Sequence, residues 1–291
     1  MVKQALALCL CILLMGFDAP SPPDPFVVID PVIAGQAQFK TPPTARQITI
    51  NPAQKTLVLI VAGQSNWTSI NPTLFTPTNG SVVSQLNLYD GAFYPITSDV
   101  LGSSYYQGTF GPGNPSVRVA DGLVSSGVWN QVLLVNVAIG STSVAQWASP
   151  QFTNRFTVAM LRLAQNGITP ATAGVTFGFV WGQGESDNVP LGTSQSAYSA
   201  SLASVFSSLS SAGFSGRIFV CEETWINGTT SAAVEASQVA AVNGTTIFSG
   251  GNLDSLGNAD RQSDQTHFND TGAPLAATIV INAMHASGSP F

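Results

Sequence analysis

The sequence predicts an α/β protein: one three-layer α/β/α domain built on a central, mainly parallel sheet of five strands. Three observations predict it. Short apolar runs rich in β-branched residues recur at Leu57–Val61, Val132–Ala138, Val175–Trp181, Arg217–Cys221 and Thr245–Phe248. Stretches of helical spacing separate them, which is the rhythm of strands joined by crossover helices. The runs are largely continuous rather than alternating, as expected of strands covered on both faces.

Each element follows in order. Lys3 precedes Ala5–Phe17, thirteen residues without charge. A bilayer span needs ~20, so the run is too short to cross and residues 1–17 read as a signal peptide. That predicts a secreted or periplasmic protein with no membrane span in the mature chain. Residues 18–55 hold eight of the eighteen prolines, a density that forbids helix and favours extended chain. They read as a Pro-rich leader that lays Ile48–Ile50 against the domain edge. The domain proper spans 56–291. Its segment from about 67 to 114, rich in Gly, Pro, Ser and Thr, reads as a long loop excursion. Pro115 opens a helix over Val117–Leu123, and Phe156–Gln165 is a helix stopped by Gly167. Ser194–Ser211, Ser231–Val242 and Pro274–Ala286 complete the helices.

Composition narrows the function. Of 291 residues only 8% are charged, with nine Lys+Arg against fifteen Asp+Glu. No Lys follows Lys55, and the five later Arg stand singly. Nucleic-acid binding needs clustered cations and is excluded. With 44% hydrophobic residues the chain fills a core, so disorder is excluded too. Cys9 and Cys11 lie in the apolar leader run, leaving Cys221 alone in the body. A structural zinc site wants about four Cys/His ligands and a disulfide wants two cysteines; neither set is present. With two histidines in all, a catalytic one is His267 or His285, and His285 in the last helix reads as packing or surface.

In doubly wound sheets, ligands bind beyond the carboxyl ends of the strands. After the first strand stands Gly63-Gln64-Ser65-Asn66, a serine at a sharp turn. The G-x-S-x-G elbow needs glycine where Trp67 stands, so this is a different turn. After the second comes Gly140-Ser141-Thr142-Ser143, where glycine lets the backbone approach a ligand. After the third comes Gln183-Gly184-Glu185-Ser186-Asp187. Gln183 is a neutral donor suited to an oxyanion; Glu185 is either a general base or, more in keeping with burial, a carboxylate bracing loops. Asp264-Gln265-Thr266-His267 precedes the last helix, with Asp and His spaced to orient one another. Together they supply the roles of an acyl-transfer site.

In these four motifs, taken in order from about residue 56 to 286, the chain resembles the SGNH hydrolases. More narrowly it resembles their sialate O-acetylesterase-like branch, related to carbohydrate acetyl-esterases. Phe110-Gly111-Pro112 leading to Arg118 matches the same branch. The resemblance implies a flavodoxin-like fold and a cofactor-independent serine esterase acting on small acyl, foremost acetyl, esters of carbohydrate. It implies Ser65 as nucleophile, His267 as base and Asp264 as its partner. The oxyanion hole would be the backbone N–H groups of Ser65 and Gly140 with the Gln183 side chain; Gln64, Asn66 and Glu185 would support the site. One departure stands out. The position before Gln183 is often His or aromatic in this branch, and Gly182 here predicts an open pocket wall.

Two further readings remain at this level. A carbohydrate-binding surface or particle-associated protein would keep the fold without turnover, and a lipase-like esterase would need a wide apolar acyl site. Trp67, Trp147 and Trp181 lie near the motifs and are either sugar-stacking or packing residues. Asn66, Asn79, Asn227, Asn243 and Asn269 begin Asn-x-Ser/Thr sequons. The near absence of charge favours an uncharged saccharide over an anionic one.

Overall fold

A computed structural model describes residues 45–97, 100–105 and 113–291. The signal-peptide reading of 1–17, most of the 18–55 leader and the Phe110–Pro112 match lie outside the described residues.

The first strand, β1 (Thr56–Gly63), is wholly buried. It forms the middle of a seven-stranded sheet with β2 (Val83–Leu86), β3 (Phe93–Pro95), β5 (Gln131–Asn136), β7 (Val175–Gly182), β8 (Arg217–Glu222) and β9 (Ile247–Asn252). Their order is β3-β2-β5-β1-β7-β8-β9. Every neighbouring pair is parallel except β2 and β3. A separate parallel pair joins β4 (Ser104–Tyr105) to β6 (Ile139–Gly140).

The three layers follow from the alternation along β1. Val58, Ile60 and Ala62 face one apolar cluster, and Leu57, Leu59 and Val61 face the other. The first cluster takes in Phe156 and Leu163 of α3 (Pro150–Gln165), Leu202 and Leu209 of α5 (Gln195–Ser211) and Val234 of α6 (Ala232–Ala241). The second takes in Val117 and Leu123 of α1 (Pro115–Ser125) and Ala276 and Val280 of α7 (Gly272–Ala286). Two single-turn helices, α2 (Val144–Trp147) and α4 (Glu185–Asn188), sit at strand exits.

The α/β architecture is as expected, but the sheet has seven strands and not five. The two extra strands come from the segment read as loop. The hairpin β2–β3 escapes the apolar signal because Ser84 and Gln85 interrupt it. Gln85 is buried and answers that burial with bonds, accepting from Leu101 N (2.9 Å) and donating to Pro95 O and Thr97 Oγ1. A satisfied buried polar group costs little. β9 extends past Phe248 into Ser249-Gly250-Gly251, residues that carry no strand signal. Helix boundaries shift where capping decides them. Asn114 accepts from Ser116 N, starting α1 with Pro115 in its first turn, and Pro150 likewise opens α3 well before Phe156.

The leader's described end runs extended beside β3. Arg46 N donates to Phe93 O (2.7 Å), and Ile48 and Ile50 pack on the core with alternating burial. They join the domain edge without a ladder of their own. No helix among the described residues is long and apolar enough to cross a membrane.

Candidate active site

The site begins with two glycines. Gly63 ends β1 and Gly182 ends β7, and the two are register partners. Gly63 has φ +141, and a Cβ there would lie 1.8 Å from Gly182 O. No other residue permits that approach. The contact lets Gln64 N donate to Gly182 O (3.0 Å) and turns the chain into a 3-10 turn, Ser65–Trp67. Thr68 closes the turn with N and Oγ1 both donating to Ser65 O.

That turn brings Ser65 Oγ to 2.8 Å from His267 Nε2, and His267 Nδ1 stands 2.6 Å from Asp264 Oδ2. Residues 202 positions apart thus form one hydrogen-bonded chain. Asp264 Oδ1 also accepts from Thr266 N and His267 N. Partial burial pulls the Asp264 carboxyl upward. The hydrogen bonds from the His267 side chain and from those two N–H groups outweigh it and carry the pKa down to about 2. Asp264 is 46% exposed and the His267 side chain 13%, so the chain of bonds opens from a buried serine toward water.

Asn66 ties the pieces together. Its Nδ2 donates to Glu185 Oε1 (2.8 Å) and its Oδ1 accepts from Phe268 N (3.1 Å), next to His267. Asn71 Nδ2 donates to Phe268 O and Gln262 Nε2 to Ile70 O, binding the histidine loop to the segment that leaves β1. Asn66 is fully buried, so its sequon is not an accessible one. Gln64 Oε1 accepts from Ser186 N and Gln183 Nε2.

Gly140 follows β5 through the short β6, beside Ser141 at φ 57. Positive φ at a non-glycine residue is costly and occurs most at functional turns. The buried Arg155 guanidinium holds this exit by donating to the carbonyls of Val137, Ala138 and Gly102. Gln183 is wholly buried. Its Nε2 faces three acceptors: Asp187 Oδ2 (2.6 Å), Thr142 O (2.9 Å) and Gln64 Oε1 (3.1 Å). Two N–H bonds are therefore fully engaged, and a substrate oxygen must displace one of these partners to be bound.

Glu185 is buried and bonded to Asn66 Nδ2 and Gly184 N, which is the bracing arrangement and not that of a base facing the serine. A second buried carboxylate, Glu223 after β8, accepts from Trp67 Nε1 (2.6 Å). Burial pushes both carboxyls above the usual range; the Glu223 charge adds to the rise at Glu185, while Trp67 and Arg261 oppose it at Glu223. Trp67 also answers the question of the pocket wall. A Cβ on Gly182 would lie 1.7 Å from Trp67 Nε1 and 2.4 Å from Glu223 Oε2. The space left by glycine is filled by the indole, and the wall is closed.

The tryptophans sort clearly. Trp67, Trp147 and Trp181 are fully buried, and Trp147 stacks on Phe156, so all three are packing residues. Sequence reasoning passed over Glu223 and Trp225, which follow β8. The strand-end rule that found Ser65 and Gln183 applies there as well; Glu222-Glu223-Thr224-Trp225 carries the signal. Cys221 is buried, which raises its thiol pKa and keeps it protonated. His285 lies in the last turn of α7, and its Nε2 is buried without a hydrogen-bond partner among the described residues. Among the described residues no group of three His, Cys, Asp or Glu could hold a metal ion.

Comparison with known proteins supplies the family. Residues 55–285 match the family described as carbohydrate esterase, sialic acid-specific acetylesterase. The chain belongs to this family. As a carbohydrate esterase it is a carboxylic-ester hydrolase, and the family points its chemistry to acetyl esters. A search of the curated proteins returned no match. Among solved structures, a protein from Arabidopsis thaliana is similar with TM-score 0.62 and 16% identity, over 79% of this chain and 98% of that one. NanS is similar with TM-score 0.51 and 16% identity, over 82% and 98%. A carbohydrate acetylesterase from Xanthomonas citri gives TM-score 0.48 and 13% identity over 79% and 56%. The first two share the fold of this carbohydrate esterase.

Two outcomes test the site's construction. Gly182→Ala forces overpacking against Trp67 and should cost about 1–3 kcal/mol or more with at least a tenfold loss of esterase activity. Gly257→Ala, with open space around it, is the control and should be near neutral by thermal melting and assay. The buried carboxyls give a pH signature. Their raised values mean that stability is full below the usual carboxylate range and is lost as pH rises through the folded values. Glu223→Gln removes its share of that loss, so the variant's Tm should gain on the parent's as pH rises. A Tm difference that does not change with pH would contradict the assignment.

Proposed function

We propose that this esterase removes acetyl and other small acyl groups from uncharged carbohydrate through Ser65, His267 and Asp264, by way of an acyl-enzyme. The observation that carries the reading is the pair of short hydrogen bonds, 2.8 Å from Ser65 Oγ to His267 Nε2 and 2.6 Å from His267 Nδ1 to Asp264. A nucleophile in reach of a base, itself oriented by a third group, is the arrangement acyl transfer requires.

His267 Nε2 takes the Ser65 proton as Oγ attacks the ester carbonyl. The tetrahedral oxygen is held by the backbone N–H groups of Ser65 and Gly140. The Gln183 amide joins them when the oxyanion replaces Gln64 Oε1, the longest of its three contacts. His267 then gives its proton to the departing sugar hydroxyl, leaving an ester on Ser65. Water, deprotonated by the same nitrogen, attacks that ester; the carboxylic acid leaves and Ser65 recovers its proton. Asp264, with its pKa carried to about 2, stays a carboxylate throughout and stabilises the imidazolium.

The family supports an acetylated saccharide, and its description names sialic acid, an anionic sugar; the choice of an uncharged one rests on composition alone. A chain with nine Lys+Arg against fifteen Asp+Glu favours a neutral saccharide, recognised by hydrogen bonds and ring contacts. Action outside the cytoplasm, secreted or periplasmic, completes the proposal and rests on the reading of residues 1–17.

Ser65→Ala should keep its fold and lose hydrolysis of both a simple acetyl ester and an acetylated sugar. Asp264→Asn, which leaves the geometry but removes the carboxylate, should lower kcat by roughly 10³–10⁴. Steady-state assays of purified variants decide this, and retained turnover in Ser65→Ala would sink the reading.

A further inference from the structure

Four of the five tryptophans are buried: Trp67, Trp129, Trp147 and Trp181. The fifth, Trp225, is half-buried and stands at the carboxyl end of β8, the strand beside β7 in the sheet. Its position is tied to the proposed catalytic loop. Trp225 Nε1 donates to Gln265 O (3.0 Å), the residue after Asp264. Asn227 N donates to Thr266 Oγ1 (3.2 Å), and Trp225 N donates to Asp254 Oδ1 (2.9 Å). The indole is therefore held from its backbone and from its ring nitrogen, beside the Asp264–His267 pair.

What lies on either side of the ring follows from burial. The Arg261 guanidinium sits 5.9 Å from the indole centroid and is itself buried, so it occupies the protein side. Its Nε, Nη1 and Nη2 donate to the carbonyls of Leu256, Thr266 and Leu253. It backs the ring from within, and the indole keeps an accessible part. An aromatic surface fixed in orientation and bonded to the loop that carries Asp264 and His267 suits the C–H face of a pyranose ring.

We propose that Trp225 is the stacking platform for the sugar that carries the scissile ester. The inference rests on the esterase reading above and adds the residue that makes a saccharide ester a better substrate than a simple one. Trp225 acts in binding, so its loss falls on KM for the sugar ester. Holding Gln265 in place is a separate task that belongs to the N–H group alone, and the two tasks can be told apart.

The test compares kcat/KM for glucose pentaacetate with that for ethyl acetate in the parent, Trp225→Phe and Trp225→Ala, with Tm recorded for each. Trp225→Phe keeps a ring and loses the N–H; Trp225→Ala loses both. A platform predicts that the sugar-to-ethyl ratio falls about tenfold or more in Trp225→Ala, through KM, and stays within about threefold of the parent in Trp225→Phe. Equal ratios in all three proteins overturn the proposal, as does a Phe variant as impaired in ratio as the Ala variant. Ser65→Ala separates the two levels. If it keeps activity on both esters the catalytic reading fails; if it is inactive and the Trp225 ratios do not move, only the platform fails. Should Trp225→Ala not fold, calorimetric binding of the glucose ester to Ser65→Ala and to Ser65→Ala/Trp225→Phe supplies the comparison, with affinities within about threefold expected and a tenfold loss contradicting.

Discussion

The close approach of Gly63 to Gly182 is the constraint on which the site depends. Two central parallel strands end in register on residues without side chains, and a Cβ on either would collide with backbone or with Trp67. Because that contact exists, Gln64 N reaches Gly182 O and the chain turns at once instead of continuing the strand. Ser65 is then presented at the sheet's carboxyl edge, where parallel sheets receive ligands. The volume freed at Gly182 is taken up by the Trp67 indole, which in turn needs an acceptor and finds Glu223. One steric allowance thereby calls for a buried aromatic ring, and the ring calls for a buried carboxylate.

A buried polar layer lies beneath the serine as a consequence. Asn66, Gln183, Glu185 and Glu223 are all fully buried, in a chain otherwise short of charge. Each is costly alone and inexpensive when paired. Asn66 bonds the histidine loop on one side and Glu185 on the other, while Gln183 joins the exits of β1, β5 and β7 through Gln64, Thr142 and Asp187. Such a layer restricts the loops, because shifting them would unpair Asn66, Gln183 or Glu185 in the interior; Glu223 is bonded through Oε2 alone, and its Oε1 is buried without a partner among the described residues. Two of the fifteen acidic residues, Glu185 and Glu223, thus lie fully buried in this layer.

The fold class was legible because central strands carry dense apolar runs, and β1, β5, β7 and β8 were all visible. The β2–β3 hairpin was not, since Ser84 and Gln85 satisfy their burial through specific partners that no periodicity shows. β9, an edge strand with glycines, was visible only in its first residues. Ser65, Asp264 and His267 were legible from strand-end motifs and from the scarcity of histidine. Glu223 and Trp225 carry the same positional signal but belong to none of the four motifs. The packing of Trp67 against Gly182 was beyond reach, because it depends on which of many side chains fills a gap more than a hundred residues away.

The glycine contact presents Ser65 as the group proposed to carry the acyl chain. Rapid-quench reaction of the enzyme with an aryl acetate, followed by mass analysis of its peptides, tests this directly. An acetyl group is expected on the peptide containing Ser65, formed in the first turnover and absent from Ser65→Ala. Turnover by the parent with acetyl on another residue, or rapid hydrolysis with no dependence on Ser65, would contradict it.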